Sequence, residues 1–380
     1  MDRYLIMKTI LVMHHGGSQL RGSEICLIHT VNALLAAKFR VVLLRNNKII
    51  DQALNKLKNL EIVDCDYPEI MIDGGHKSLP IFRYIRSFFS LRKLIKKYDV
   101  TRIVCNGGLP CQLGVPLGNS IGIPVVCHFH HPAPKRYFYF WLVKFADHLI
   151  FPSNFTASIV AQKCGRDGQV VYNAVDLDTR FVPLQSKNSR FRSELGIPDN
   201  GLVIGQVGAL VPHKRPDFLV KAFAAICNRF PNLYLMIVGG GSMQESLRTE
   251  ISRHQLDNRI KLCGYVEDVL PYLQNVININ VLASIEEGLG ISVIEAAGCS
   301  LPSIVSDCTG LKEVVVQNET GYRFSPNDNI ELQSFLVKLI QDSALRIRLG
   351  KTAREQALKK FCLQQYRADM VNAILNSTKH

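Results

Sequence analysis

Two glutamates, Glu287 and Glu295, bracket "EGLGISVIE", whose interior is uncharged and carries Gly288 and Gly290. The β-branched run "VININVLAS" precedes it and "GISVIEAAG" has a helical pattern, so the stretch reads as strand, glycine turn and helix start. Glycines let backbone come close to a ligand. The unpaired N–H groups of a helix start, with the helix dipole, favour a phosphate. Glu295 would lie about 7 Å along the helix axis. A carboxylate there would repel a phosphate but can accept two hydrogen bonds from a diol such as a ribose. Glu287, before the turn, would face whatever hangs from the far end of a diphosphate. The spacing fits a nucleotide-sugar; taken alone, it also fits a solvated Glu287 and a locally paired Glu295.

The elements that must hold these residues recur along the chain. "KTILVMHHGG" leads into the helical "EICLIHTVNALLAA"; "RVVLLR", "VTRIVCNGG", "IPVVCHFHHP" and "DHLIFPS" are buried strands ending in polar or Pro/Gly turns. The pattern restarts at "GLVIGQVGAL" and continues through "NLYLMIVGGG", "RIKLCGYV", "VININVLAS" and "LPSIVSD". Continuous apolar strands alternating with helices give parallel sheets covered on both faces. Two such series predict an α/β protein of two Rossmann-like domains, 1–178 and 179–361, with a polar seam near residues 176–200. The amphipathic "FCLQQYRADMVNAIL" predicts a last segment, 362–380, packing back on the first domain. Ligands of doubly wound sheets sit at the carboxyl ends of strands, which makes the cleft between the domains the expected site.

Composition narrows the classes. At 380 residues, 47% hydrophobic and 20% charged, the chain has the make-up of a globular protein with a large interior. No apolar run reaches the roughly 18 residues of a membrane-spanning helix. The opening "MDRYLIMKTILVMHH" reads as a first strand, not a signal peptide. The 11 cysteines lack C-x-x-C or zinc-like spacing and read as reduced, mostly buried thiols of a cytosolic protein, without disulfide or metal. The net charge of +13 is uneven: residues 1–178 hold 22 Lys and Arg against 13 Asp and Glu, residues 179–380 hold 23 against 19. A basic first half suits an anionic partner: nucleic acid, a membrane surface or a phosphorylated substrate.

Six stretches in order give the chain its resemblance to glycosyltransferase family 4, retaining enzymes of the GT-B fold. Glu287–Gly288–Leu289–Gly290 through Glu295 resembles the family's E-G-F-G-x-x-x-x-E pattern, with Leu for Phe. "ADHLIFPS" and "VVYNAVD" look like the landmarks closing its first domain, with Ala174 where Gly is commoner. "GQVGALVPHKRPDFLVKAF" is similar to its V-G-R-L-x-x-x-K-G segment, "IKLCGYVEDV" to its F-x-G-x-V stretch, and "GSEICLIHTVNAL" to its first helix.

The resemblance implies roles. Glu287 contacts the transferred sugar and Glu295 the ribose hydroxyls, while the amides of Gly288, Leu289, Gly290 and Ile291 take the diphosphate. Lys214 matches the family's phosphate-clamping lysine, but Ala209 stands at the arginine position; Arg215 is the substitute to test. His130, six residues after Pro124, matches the histidine that contacts the donor sugar. His128 shares its strand face and is the competitor, while His131 points elsewhere. Gly16 and Gly17 match the glycine loop near the phosphates or acceptor, with Arg21 where a glycine often precedes Gly22. Cys263, Gly264 and Tyr265 are candidates for holding the base. Glu287, His130 and Lys214 would be catalytic.

The implied reaction is front-face glycosyl transfer with retention, without metal, the leaving diphosphate being stabilised by the helix start and Lys214. On the acceptor side, "RYIRSFFSLRKLIKK" (83–97) holds six basic residues and no acid, with Ile81, Ile85, Phe88 and Phe89 at helical spacing. Residues 137–141 are five consecutive aromatics, which together cover every face of a helix. The basic stretch fits an ordinary helix with snorkelling lysines as well as a membrane surface. The two together suggest a lipid-linked glycan acceptor, peripheral contact with an anionic leaflet at the inner face of the cytoplasmic membrane, and no nucleic acid partner. The rivals are a nucleotide-sugar binder without activity, a sugar-nucleotide epimerase, and a dehydrogenase, which would need a G-x-G-x-x-G after its first strand.

Overall fold

A computed structural model describes residues 8–17, 22–73, 76–78, 80–130, 133–186 and 188–379. The chain divides into two units, Met1–Ala174 with Gln364–His380, and Val175–Leu363.

In the first unit seven parallel strands lie in the order Leu60–Asp64, Arg40–Arg45, Thr9–His14, Val100–Asn106, Val125–His128, His148–Phe151 and Gln169–Val170. Counted along the chain this is 3-2-1-4-5-6-7, a doubly wound order that reverses beside the first strand. Ile10, Leu11, Val12 and Met13 are all fully buried. Helices on both faces leave a central strand no solvent side, so its sequence is apolar throughout and does not alternate. A separate antiparallel hairpin pairs Met71–Asp73 with His76–Ser78. The chain returns to this unit at its end. In helix Leu363–Leu375 the buried Tyr366 hydroxyl lies 2.7 Å from Thr30 Oγ1 and 3.3 Å from the Cys26 carbonyl. Arg102 donates to the Leu375 carbonyl at 2.8 Å, and Lys379 pairs with Asp147 at 3.3 Å.

The second unit repeats the plan with six parallel strands, ordered Ile260–Gly264, Leu233–Val238, Leu202–Val207, Ile279–Leu282, Ser303–Ser306 and Gly321–Phe324, which is 3-2-1-4-5-6 along the chain. Its core gathers Leu219, Phe223, Leu235, Ile237, Val281 and Phe324, all fully buried. Residues 176–200 are polar in sequence but pinned to this unit. Asn188 caps helix Ser189–Glu194. The buried Arg192 donates to the carbonyls of Asn275, Val276, Pro198 and Gly201 at 2.6–3.2 Å. Arg354 does the same for the carbonyls of Leu177 and Phe181 at 3.0 and 2.9 Å. Two guanidinium groups here satisfy backbone that no strand pairs.

Candidate active site

In the second unit, strand Ile279–Leu282 passes through a turn to helix Ile291–Gly298. Gly290 precedes that helix at φ 90° and ψ 61°, and no side chain caps the start. A side chain at this φ is strained, and its Cβ would stand 2.5 Å from Leu311 Cδ2. Among the described residues the amides of Gly288, Leu289, Gly290 and Ile291 donate to no protein group. Open amides at a dipole's positive end attract an anion.

Glu287 is anchored on several sides. Its Oε1 accepts from Lys214 Nζ at 2.6 Å and from Ser284 Oγ at 2.9 Å. The Thr309 hydroxyl accepts from the Glu287 amide at 2.7 Å and donates to its carbonyl at 2.8 Å. The Lys214 and Glu287 side chains keep 17% and 13% exposure, so the pair is shielded yet reachable. Glu295 is half-buried, and desolvation pushes its carboxyl pKa up to about 7; Arg180 opposes the rise and Asp268 adds to it.

Lys214 closes the short turn Pro212–Lys214, and the Ile285 amide donates to the His213 carbonyl at 2.8 Å, tying that turn to the glutamate turn. Arg215 leaves in another direction. Its guanidinium stacks 4.1 Å over Phe218 and donates to the Pro326 carbonyl and, at 3.1 Å, to Asn327 Oδ1. Ala209 follows strand Leu202–Val207 and brings no charge. Cys263 and Gly264 end the edge strand Ile260–Gly264, where the Gly264 carbonyl accepts from the Gly239 amide at 2.8 Å. Burial raises the Cys263 thiol to about 11. Tyr265 beside them is 53% exposed.

In the first unit the strand ends gather a polar cluster. His130 Nε2 lies 2.9 Å from Asn106 Oδ1, and Asn106 Nδ2 lies 3.0 Å from His14 Nδ1. His14 Nε2 stands 3.7 Å from Glu24 Oε1. His128 is fully buried, its ring centroid 4.3 Å from that of His130, with no partner among the described residues for either nitrogen. Burial lowers the pKa of both His14 and His128 to about 4, so both rings are neutral at pH 7. Gly16 lies against this cluster: a Cβ there would stand 2.4 Å from His14 Nε2 and 2.6 Å from Glu24 Oε1. Asn46 Oδ1 holds the Gly16 amide, and Asn47 Nδ2 holds the carbonyls of Gly16 and Gly17, all at 2.9 Å. His131 and Arg21 lie outside the described residues.

Several contributors were invisible to sequence reasoning. Ser284 sits three residues before Glu287 in a quoted motif and could have been flagged as a Ser-x-x-Glu pair. Thr309, Asn106 and His14 reach their partners through the fold and leave no local signal. Three scattered cysteines also converge: the buried thiols of Cys105, Cys111 and Cys127 lie within 4.8 Å of one another, among apolar side chains. The sequence holds two Asp-x-Asp pairs. In the first, Asp64 pairs with Arg45 and Asp66 with Arg83; in the second, Asp176 accepts from the Thr179 amide and hydroxyl at 2.9 and 2.6 Å.

The aromatic run divides. Trp141 stacks on Tyr137 and Phe129 at 5.4 and 5.8 Å and meets Phe138 edge-on, whereas Tyr139 and the nearby Phe145 are exposed. Helix Ile81–Lys97 buries only Leu91 and Ile95 and leaves Ile81, Phe82, Ile85 and Phe89 exposed, Phe82 at 90%. Among the described residues no helix is long and apolar enough to cross a membrane.

Two doubly wound units, one with an open helix start between Glu287 and Glu295, have the architecture of the GT-B fold. The chain belongs to glycosyltransferase family 4, group 1: residues 20–179 match the model "Glycosyltransferase Family 4" and residues 187–356 match "Glycosyl transferases group 1". It is 28% identical, over 75% of its length and 78% of the relative's, to the UDP-Gal:alpha-D-GlcNAc-diphosphoundecaprenol alpha-1,3-galactosyltransferase of Escherichia coli. It is 26% identical, over 70% and 74% of the two chains, to the GDP-mannose-dependent alpha-(1-6)-phosphatidylinositol monomannoside mannosyltransferase of Mycolicibacterium smegmatis. Its fold matches HepE of Anabaena in complex with UDP at a TM-score of 0.82, with 19% identity and coverage of 97% and 100%.

Proposed function

We propose that this glycosyltransferase moves a sugar, with retention, from a nucleotide-diphosphate-sugar to a hydroxyl of a lipid-linked glycan in cell-envelope synthesis. The observation that carries the reading is the open amide turn at residues 288–291 with the Lys214–Glu287 pair beside it. An incoming diphosphate finds hydrogen-bond donors that the protein leaves unsatisfied, and a lysine already fixed next to them. Glu287, released from Lys214 as the phosphate competes for the ammonium, then faces the sugar. Glu295 takes the ribose hydroxyls and the exposed Tyr265 face takes the base, with Cys263 and Gly264. His130 is assigned the donor sugar's hydroxyls. Departure of the diphosphate places negative charge on the helix start and Lys214, and a phosphate oxygen takes the proton of the attacking acceptor hydroxyl on the same face. We assign no resident metal to this site. With Ala209 neutral and Arg215 bound to Pro326 and Asn327, the clamp rests on Lys214 and the amides.

The lipid-linked acceptor is favoured by helix Ile81–Lys97, whose exposed Ile81, Phe82, Ile85 and Phe89 lie amid Arg86, Arg92, Lys93, Lys96 and Lys97. That combination suits the interface of an anionic leaflet. The two relatives named above act on undecaprenol- and phosphatidylinositol-linked acceptors.

Purified protein incubated with UDP-, GDP- and ADP-sugars should hydrolyse or transfer from one of them, and Glu287→Ala should abolish this while binding of the nucleoside diphosphate persists. Equal turnover by Glu287→Ala, or no thermal stabilisation by any nucleotide, would overturn the reading.

A further inference from the structure

We infer that Asn106 is a positioning residue that locks neutral His130 in the tautomer carrying its proton on Nε2, which leaves the lone pair on Nδ1.

The inference follows from the polarity of one chain of contacts. Asn106 ends strand Val100–Asn106, is 3% exposed, and lies in register with His128. Its Nδ2 faces two groups, the Ser23 carbonyl at 3.4 Å and His14 Nδ1 at 3.0 Å. A carbonyl oxygen only accepts, so the atom facing it must be the amide nitrogen, which fixes the orientation of the side chain. Two amide hydrogens then meet two acceptors, and His14 Nδ1 must carry a lone pair. Neutral His14 therefore bears its proton on Nε2, the nitrogen that stands 3.7 Å from Glu24 Oε1. At the other end, Asn106 Oδ1 can only accept, so His130 Nε2, 2.9 Å away, must donate. Every group from Glu24 to His130 is used in one direction.

The surroundings protect that direction. Burial keeps His14 neutral, and a protonated His14 could not accept from Asn106. Gly16 leaves no room for a side chain over the His14–Glu24 contact. His128, whose ring lies 4.3 Å from His130, is likewise kept neutral by burial and adds no charge to disturb it. The chemical consequence is specific: in its neutral form a His130 held this way offers a lone pair and no proton at Nδ1, the nitrogen turned away from Asn106.

This rests on the assignment of His130 to the donor sugar, and the test separates the two. In full-length ¹⁵N-labelled protein at pH 8, long-range ¹H–¹⁵N correlation spectra give the tautomer of each histidine, with His130 identified by the signal lost in His130→Gln. The expected result is the Nε2–H pattern for His130 and for His14. In Asn106→Asp, the carboxylate still accepts from His130, so its pattern persists while His14 moves its proton to Nδ1. In Asn106→Leu, His130 becomes a mixture of tautomers and kcat falls about tenfold. An Nδ1–H pattern for His130 in the unaltered protein, or an unchanged His130 pattern in Asn106→Leu, would overturn the proposal. The wild-type spectrum decides even if a variant fails to fold. Full transfer activity in His130→Gln would refute the donor-sugar assignment while leaving the tautomer lock intact.

Discussion

Glu295 carries a cost that pH reveals. Its carboxyl is shifted from an ordinary 4.5 to about 7 because burial penalises the charged form. In the unfolded chain it ionises near 4.5. Below that pH both states are protonated and the group contributes nothing. As pH rises to about 7, the unfolded state ionises and the folded state does not, so stability is progressively lost, levelling off above 7 at up to about 3 kcal/mol. Glu295→Gln should therefore melt above the unaltered protein at pH 8 and level with it at pH 4.5; the same difference at both values would contradict the burial account. The position also shows what a sequence can reveal about a site. Glu287, Glu295 and the glycines were legible because one motif holds them in a turn and the helix after it, and Lys214 because a second stretch matches the family's lysine segment. Thr309, which pins Glu287, and Asn106, which holds His130, were not, because such contacts join residues through the fold. Arg215 was legible as a charge beside Lys214, but its direction was not: residue type does not say that a guanidinium will stack on Phe218 and bind Pro326 and Asn327.

Among the elements, those with continuous apolar runs were read at nearly their observed bounds, and Arg40–Arg45 at its own ends. In the two parallel sheets the strands left unread, Leu60–Asp64, Gln169–Val170 and Gly321–Phe324, all lie at sheet edges and are short or mixed in polarity, and the hairpin Met71–Asp73 with His76–Ser78 was unread as well. Leu60–Asp64 has no fully buried residue and includes two acids, so neither an apolar run nor a clean alternation marks it. The helix start at Ile291 depends on one backbone geometry, and Gly290→Ala tests it. A side chain at φ 90° should cost about 1–2 kcal/mol, and pushing on Leu311 should disturb the amides beside it. Urea unfolding should show the loss, and the donor KM should rise severalfold; an unchanged KM would detach the turn from donor binding. Helix Ile81–Lys97 makes a separate prediction. Phe82→Glu removes an apolar side chain that is 90% exposed, so it should leave stability nearly unchanged yet reduce flotation with anionic liposomes. Equal flotation of the two proteins would rule out this helix as the membrane contact.

For the molecule as a whole, the sequence predicted two parallel-sheet units from two series of strands, but it did not give the order of strands within either sheet. Order is set by which helix crosses which face. The return of the chain end was read from the amphipathic "FCLQQYRADMVNAIL", and in the structure Gln364–His380 groups with the first unit. The contact that fixes it is polar and buried. Tyr366 is 2% exposed, and its hydroxyl meets Thr30 Oγ1 at 2.7 Å with the Cys26 carbonyl at 3.3 Å, far from any ligand-binding turn in the sequence. Tyr366→Phe keeps the ring and its packing and deletes this hydroxyl, while Thr30 Oγ1 keeps its bond to the Cys26 carbonyl at 2.9 Å. The expected loss is about 1 kcal/mol, and it belongs to the first unit. Each unit has its own buried core, so calorimetry should resolve the effect. The nucleoside diphosphate should raise the transition of the second unit, which carries residues 288–291, and the substitution should lower the other. A shift of both transitions together would show that the two cores melt as one, and that the tail stabilises the whole chain rather than the unit it packs on.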